Sequence, residues 1–176
     1  MDSLFEETHN IINNFTAIDL ETSGLYPNNR IIEFGAVRYR DGQPIANFQT
    51  YATYHGHLPE KITELTGITD AILSEKGINK DEAMKNFLAF IADDLLVAHN
   101  MDFDWGFLKY HTETIGTIIN NEKSCTLLLA RKKKLPIINN KLNTLCKYYN
   151  IKCENFHSAL EDAKAAGDLF LKLQEN

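Results

Sequence analysis

Phe15-Thr16-Ala17-Ile18-Asp19-Leu20-Glu21 is a short apolar run that ends in two acids, and Thr22-Ser23-Gly24 follows it directly. An apolar run this short, closed by turn-forming residues, reads as a buried strand with its charge gathered at the C-terminal end. Working outward, residues 30–39 (RIIEFGAVRY) are rich in β-branched and aromatic side chains, and Asp41-Gly42 supplies a turn before residues 45–53 (IANFQTYAT). The pattern predicts a hairpin, and the three strands together an antiparallel meander. Residues 59–73 read as two short helices broken at Gly67, and residues 81–93 as a longer amphipathic helix.

Residues 95–99 (LLVAH) are too few for a helix and are predicted to form a buried strand. A helix over 102–114, a short strand near 123–126 and helices near 127–133 and 141–149 come next. Ser158-Ala159-Leu160-Glu161 matches the S-x-x-E capping box, which places Ser158 at the N-cap of the last helix and Glu161 three positions inside it. A meander followed by strand–helix alternation predicts a mixed five-stranded α/β sheet, antiparallel and then parallel, flanked by helices. Residues 1–14 read as an N-terminal extension and 15–176 as one domain, a length that one hydrophobic core commonly serves.

Composition narrows the function. With 44% hydrophobic and 24% charged residues the chain is an ordinary globular one. No apolar run approaches the roughly 20 residues that span a bilayer, so no membrane association is expected. Cys125, Cys146 and Cys153 form no C-x-x-C pair and suit reduced thiols in the cytoplasm. A net charge of −6 argues against a protein that coats duplex nucleic acid, so any nucleic-acid contact must be local. The one dense basic run is Arg131-Lys132-Lys133-Lys134, with Lys141 and Lys147 downstream.

Asp19 and Glu21, two apart on a strand, leave the same face, where like charges repel unless a cation sits between them or water solvates both. Asp102 and Asp104 fall in the first turn of a helix, a position the helix dipole favours for acids, and Asn100 and Asp102 also suit capping. His157 lies just outside the cap of the last helix, free to approach a substrate, while Asp162 is one turn inside and held in place. Three distant regions thus each place a carboxylate at the end of an element. Carboxylates without sulfur ligands suit hard ions such as Mg²⁺ or Mn²⁺ rather than zinc.

These residues resemble the DEDDh (DnaQ-like) 3′-to-5′ exonucleases, which include the proofreading epsilon subunit of bacterial DNA polymerase III. The family motif D-x-E-T-x-G-L is matched by Asp19, Glu21, Thr22, Gly24 and Leu25, H-N-x-x-F-D by His99, Asn100, Phe103 and Asp104, and H-x(4)-D by His157 and Asp162. The likeness also takes in residues 31–37 and 65–69. It implies an RNase H-like fold and two divalent ions held by Asp19, Glu21, Asp104 and Asp162, with His157 as general base. An imidazole of ordinary pKa, about 6.5, suits deprotonating a water near neutral pH, and paired ions stabilise the attacking and leaving oxygens of a phosphodiester. The tyrosine that the other branch of the family uses is replaced here by His157.

By the same resemblance Thr22 and Leu25 meet the terminal nucleotide, Leu25 wedging beside the last base, Thr66 to Ile68 close over it although several relatives carry histidine where Thr66 stands, and Asn100 joins the substrate contacts. Phe103 and Phe107 are expected to pack the helix against the sheet, Trp105 to pack or stack on a base, and residues 131–134 to touch upstream phosphates. The implied substrates are 3′ ends of single-stranded nucleic acid, DNA foremost and RNA left open, and the implied protein partner is a DNA polymerase subunit. The rival readings are an accessory subunit that chiefly binds a polymerase, a catalytically dead binding module, and a hydrolase of dinucleotides or very short RNA. The first is weakened because the proofreading subunit's long C-terminal tail has no counterpart before Asn176, the second because all five catalytic positions are kept. Oligomeric state is not legible.

Overall fold

A computed structural model describes residues 11–153 and 156–175. Six strands form one mixed sheet in the order β4-β3-β2-β1-β5-β6. β1 (Phe15–Thr22), β2 (Ile31–Arg40) and β3 (Gln43–Ala52) make the expected antiparallel meander, and β5 (Leu96–Ala98) and β6 (Lys123–Cys125) extend it in parallel from β1. The sixth strand corrects the expected five. β4 (Gly77–Ile78) pairs in parallel with Tyr51 and Ala52, and two residues are too few to show any periodicity in sequence.

The helices lie close to their expected places: α1 (Glu60–Thr66), α2 (Asp70–Lys76), α3 (Lys80–Ile91), α4 (Met101–Thr114), α5 (Thr126–Lys133), α6 (Leu142–Tyr148) and α7 (Ala159–Gln174). Alternation along β1 sends its side chains to two different cores. Ile18 and Leu20 join Phe34, Met84, Phe87, Phe107 and Leu108 beneath α3 and α4. Phe15 and Ala17 join Val37, Tyr39, Ala163 and Phe170 beneath α7. By the same alternation Asp19 and Glu21 emerge on the α7 face. That face is crossed very closely, since a Cβ placed on Gly35 of β2 would lie 2.1 Å from the carbonyl carbon of Ala159.

The opposite end of β1 is tied by Asp94, which lies between α3 and β5. Its carboxylate accepts from the Thr16 hydroxyl at 2.6 Å and pairs with Arg40 at 2.7 Å and Arg38 at 3.3 Å. Residues 1–10 of the expected extension lie outside the described residues, but its last residues are anchored. Gly42 N–H donates to the Asn13 carbonyl, Asp41 N–H to the Asn14 side chain, and Ile12 exchanges two hydrogen bonds with Gln174.

Candidate active site

β1 and β5 run parallel, so their C-terminal ends open on the same edge of the sheet, the place where open α/β sheets receive ligands. At that edge Asp19 stands opposite Gly35 and Glu21 opposite Glu33, and a register shift between Glu21 and Thr22 re-aims the end of the strand. Beyond β5 the chain turns through Asn100 in the left-handed region (φ 70°) into α4. This brings Asp104 under β1, where its Oδ1 accepts from Leu20 N–H at 3.1 Å and the residue is buried. From the third direction α7 delivers Asp162, whose Oδ2 accepts from His157 N–H at 3.0 Å. His157, also left-handed (φ 70°), is exposed at the mouth of the site. Glu21, His157 and Asp162 each present a ligand atom, all within 4.8 Å of one another.

The four acids are buried and crowd one another, and each is pushed above its ordinary value. Burial first, and then repulsion from Asp104, Glu21, Asp162 and Glu33, push Asp19 well above the usual carboxylate range. Burial, followed by Glu33, Asp162 and Asp104, pushes Glu21 up to about 9. Burial lifts Asp104 to about 8 against the pull of its backbone hydrogen bonds. Asp162 is raised too, chiefly by burial, and its Oδ1 is buried with no hydrogen-bond partner among the described residues. Among the described residues no lysine or arginine pairs with any of the four. An orphaned buried oxygen and mutually raised carboxylates are what a hard divalent cation would relieve, so the donor set fits one.

The capping box is not made. Ser158 is the N-cap of α7, but its side chain forms no capping bond. The orphan Ala159 N–H donates to Oε2 of Glu33 at 3.1 Å, while Asp162 rather than Glu161 reaches back past the cap. A buried carboxylate on β2 thus takes the place that the sequence pattern assigned to a local pair, because tertiary packing sets it at the helix end. Glu33 also accepts from Gln49 Nε2 at 2.6 Å and from the Tyr51 hydroxyl. It is the site residue that sequence reasoning missed. A charged residue at an inward strand position, between Ile32 and Phe34, was the available signal.

The remaining candidates divide. Leu25 is 77% exposed at the rim and Asn100 is exposed, its side chain making no capping bond to α4, so both are open to a ligand. Thr22 is buried and its hydroxyl donates to Gly24 O at 2.7 Å. The Thr66 hydroxyl donates to Ile62 O and accepts from Ile68 N–H, and its neighbour Leu65 is the residue that lines the cavity beside His157. Phe107 is core and Phe103 packs on it at 5.0 Å, while Lys123 stands 4.0 Å over the Trp105 ring. His99 bonds Thr126 Oγ1 at 2.9 Å, and burial pushes its imidazole down to about 4.

This sheet, with acids gathered at the C-terminal edge of its central strand, defines an RNase H-like nuclease domain. The chain belongs to the RNase_T exonuclease family, whose model matches residues 16–170. It is 36% identical over 166 residues to a PolC-type DNA polymerase III of Clostridium perfringens and 39% identical over 161 residues to that of Halalkalibacterium halodurans, matches that cover 92% and 90% of this chain. The chain spans only 11% of either relative's length. Among solved structures, Exonuclease X in complex with 5′ overhanging duplex DNA superposes with a TM-score of 0.71 at 22% identity, covering 90% of this chain and 89% of that one. E. coli Exonuclease I in complex with a dT13 oligonucleotide gives 0.78 at 19%, covering 92% and 41%. Those two likenesses speak for the fold. No helix among the described residues is long and apolar enough to cross a membrane.

Proposed function

We propose that this chain is a DEDDh 3′-to-5′ exonuclease that hydrolyses single-stranded nucleic acid from its 3′ end and releases nucleoside 5′-monophosphates. The observation that carries the reading is the convergence of Asp19, Glu21, Asp104 and Asp162 with His157 at one sheet edge, from three distant segments. Asp19, Glu21, Asp104 and Asp162 would hold two divalent ions, Mg²⁺ or Mn²⁺, which would supply Lewis-acid stabilisation of the charge that develops on the phosphate. Asp104 and Asp162 are held by Leu20 N–H and His157 N–H, so these donors cost little to organise. His157, on the exposed side, accepts the proton of the attacking water as the P–O3′ bond breaks, and the departing O3′ oxygen takes a proton from solvent. Leu25 and Asn100 meet the terminal nucleotides; the bonded hydroxyls of Thr22 and Thr66 shape the walls more than they contact substrate.

Similarity to PolC-type polymerases favours DNA over RNA, a replicative polymerase as partner, and work in the cytoplasm. The test compares wild type with Asp19→Ala and His157→Ala on 5′-labelled DNA and RNA oligomers in Mg²⁺, Mn²⁺ or EDTA. A ladder shortening from the 3′ end, abolished by EDTA and by either substitution, supports the reading. A folded wild type that cuts nothing in any metal removes it and advances the binding-module and dinucleotide-hydrolase readings. Co-purification with a polymerase tests the partner.

A further inference from the structure

Residues 23–30 (SGLYPNNR) join β1 to β2 and are rich in turn formers, Gly24, Pro27, Asn28 and Asn29. The loop closes on itself: Ser23 N–H donates to Arg30 O at 2.8 Å, Arg30 N–H to Ser23 Oγ at 3.0 Å, Asn29 N–H to Tyr26 O at 2.8 Å and Tyr26 N–H to Asn29 Oδ1 at 3.0 Å. What it presents outward is unusual. Leu25 and Tyr26, consecutive residues at the rim of the catalytic edge, are 77% and 73% exposed. Neighbouring large apolar side chains held in water mark a surface made for contact. Bonds within the loop fix its shape but not its place on the protein. Among the described residues, one hydrogen bond ties residues 25–29 to another element: His111, in the last turn of α4, meets the Asn29 carbonyl through Nε2 at 2.7 Å. Pro27 lies over Gly106 of the same helix, its Cγ 3.6 Å from where a Cβ would stand.

The acceptor decides the chemistry of that bond. A carbonyl only accepts, so Nε2 carries the hydrogen and donates it. Burial, helped by the charges of Arg30 and Lys80, lowers the imidazole's pKa, which leaves the ring neutral near pH 7 with Nδ1 bare. Protonation would add a hydrogen at Nδ1 and leave the bond in place. Asp104 and His111 are both on α4, two turns and about 10 Å apart along its axis, and so on one face. The first accepts from Leu20 N–H of β1, and the second donates to the loop that follows β1. One helix thus spaces the buried carboxylate from the rim. We infer that His111 is a positioning residue, which by holding Asn29 sets the β1–β2 loop, and with it Leu25 and Tyr26, at a fixed distance from the catalytic edge. The inference rests on the exonuclease reading, in which Leu25 meets the terminal nucleotide. Without this bond the loop must be ordered anew at each binding event, a cost that falls on affinity rather than on the bond-breaking step.

The test compares wild type with His111→Phe, which keeps a ring but no donor, and with His111→Gln, whose side-chain amide can still donate. Hydrogen–deuterium exchange of residues 23–30 reads the hold on the loop, and kcat and KM on a labelled oligothymidylate with Mg²⁺ read its consequence. His111→Phe is expected to speed exchange and to raise KM, each on the order of fivefold for the loss of one neutral hydrogen bond, with kcat close to wild type. His111→Gln is expected to recover most of both. Where His111→Phe does not fold, His111→Ala removes the donor without adding bulk. Unchanged exchange, an unchanged KM, a loss confined to kcat, or a Gln variant no better than the Phe variant overturns the inference. If wild type cleaves nothing, the exonuclease reading falls instead, and exchange still decides whether His111 holds the loop.

Discussion

Gly35→Ala should damage catalysis and stability together, and the structure sets the size of the effect. The new methyl would sit 2.1 Å from Ala159 C, 2.2 Å from its oxygen and 2.4 Å from Leu160 N, all of them backbone atoms that cannot rotate away. Ordinary contact begins near 3.4 Å, so the first turn of α7 must retreat by about 1.3 Å. That turn carries Asp162 and, just before it, His157. A displacement of about 1 Å in a catalytic array costs on the order of 10²-fold in rate. Overpacking of this kind costs about 1–3 kcal/mol, a melting temperature lower by roughly 5 °C for a domain of this size. The assay is kcat on a labelled oligonucleotide beside thermal melting, with Gly106→Ala as control. There a Cβ meets only Pro27 Cγ at 3.6 Å, and a helical Gly→Ala change is expected to be neutral or to stabilise by up to about 1 kcal/mol. Retention of wild-type kcat and melting by Gly35→Ala would refute the idea that close approach of helix to strand sets the site geometry.

Other expectations follow from the same contacts. Glu33→Ala leaves Ala159 N–H and Gln49 without their shared acceptor, and should cost about 1–3 kcal/mol and lower kcat with little change in KM; Glu33→Gln, which keeps one acceptor, should restore part of both, and equal loss in the two variants would argue against a capping role. Metal-free protein should lose stability as pH rises from about 4 toward 8 and 9, because folded Glu21 and Asp104 keep protons up to about 9 and 8 that the unfolded chain releases near 4. Mg²⁺ or Mn²⁺ should raise the melting temperature more at pH 8 than at pH 5, and a metal effect independent of pH would contradict this. At Asp94 burial would raise the carboxyl, but the Thr16 hydroxyl and Arg40 outweigh it and hold the group low. Its contribution is therefore present above the unfolded value and lost as pH falls through the folded one. Asp94→Ala should cost about 1–3 kcal/mol with kcat unchanged, read by urea unfolding at neutral pH; an unaltered midpoint would mean the cluster contributes nothing net.

The sequence by itself determined whatever depends on neighbours along the chain. A period of two puts Asp19 and Glu21 on one face of β1, and a strand-to-helix boundary puts Asp104 in the first turn of α4. Position just before and just inside a helix separates exposed His157 from buried Asp162. Those patterns, with three motifs in order, were enough to anticipate an RNase H-like sheet and the acids at its edge. Only the tertiary structure decided what depends on residues distant in sequence. The box of Ser158 and Glu161 was locally sound, yet the α7 amide went to Glu33, 126 residues away, because packing of α7 over Gly35 brought that carboxylate within reach. β4 exists because Tyr51 and Ala52 offer free edge groups to two residues with no strand signal of their own. Along the chain Arg131 belongs to one dense basic run with Lys141 downstream, whereas the approach of α5 and the segment before α6 sets Arg131 and Lys141, without Lys132 to Lys134, on one cleft. Local periodicity reports which face a side chain takes, whereas the partner that satisfies a buried donor or acceptor is settled only when the chain closes on itself.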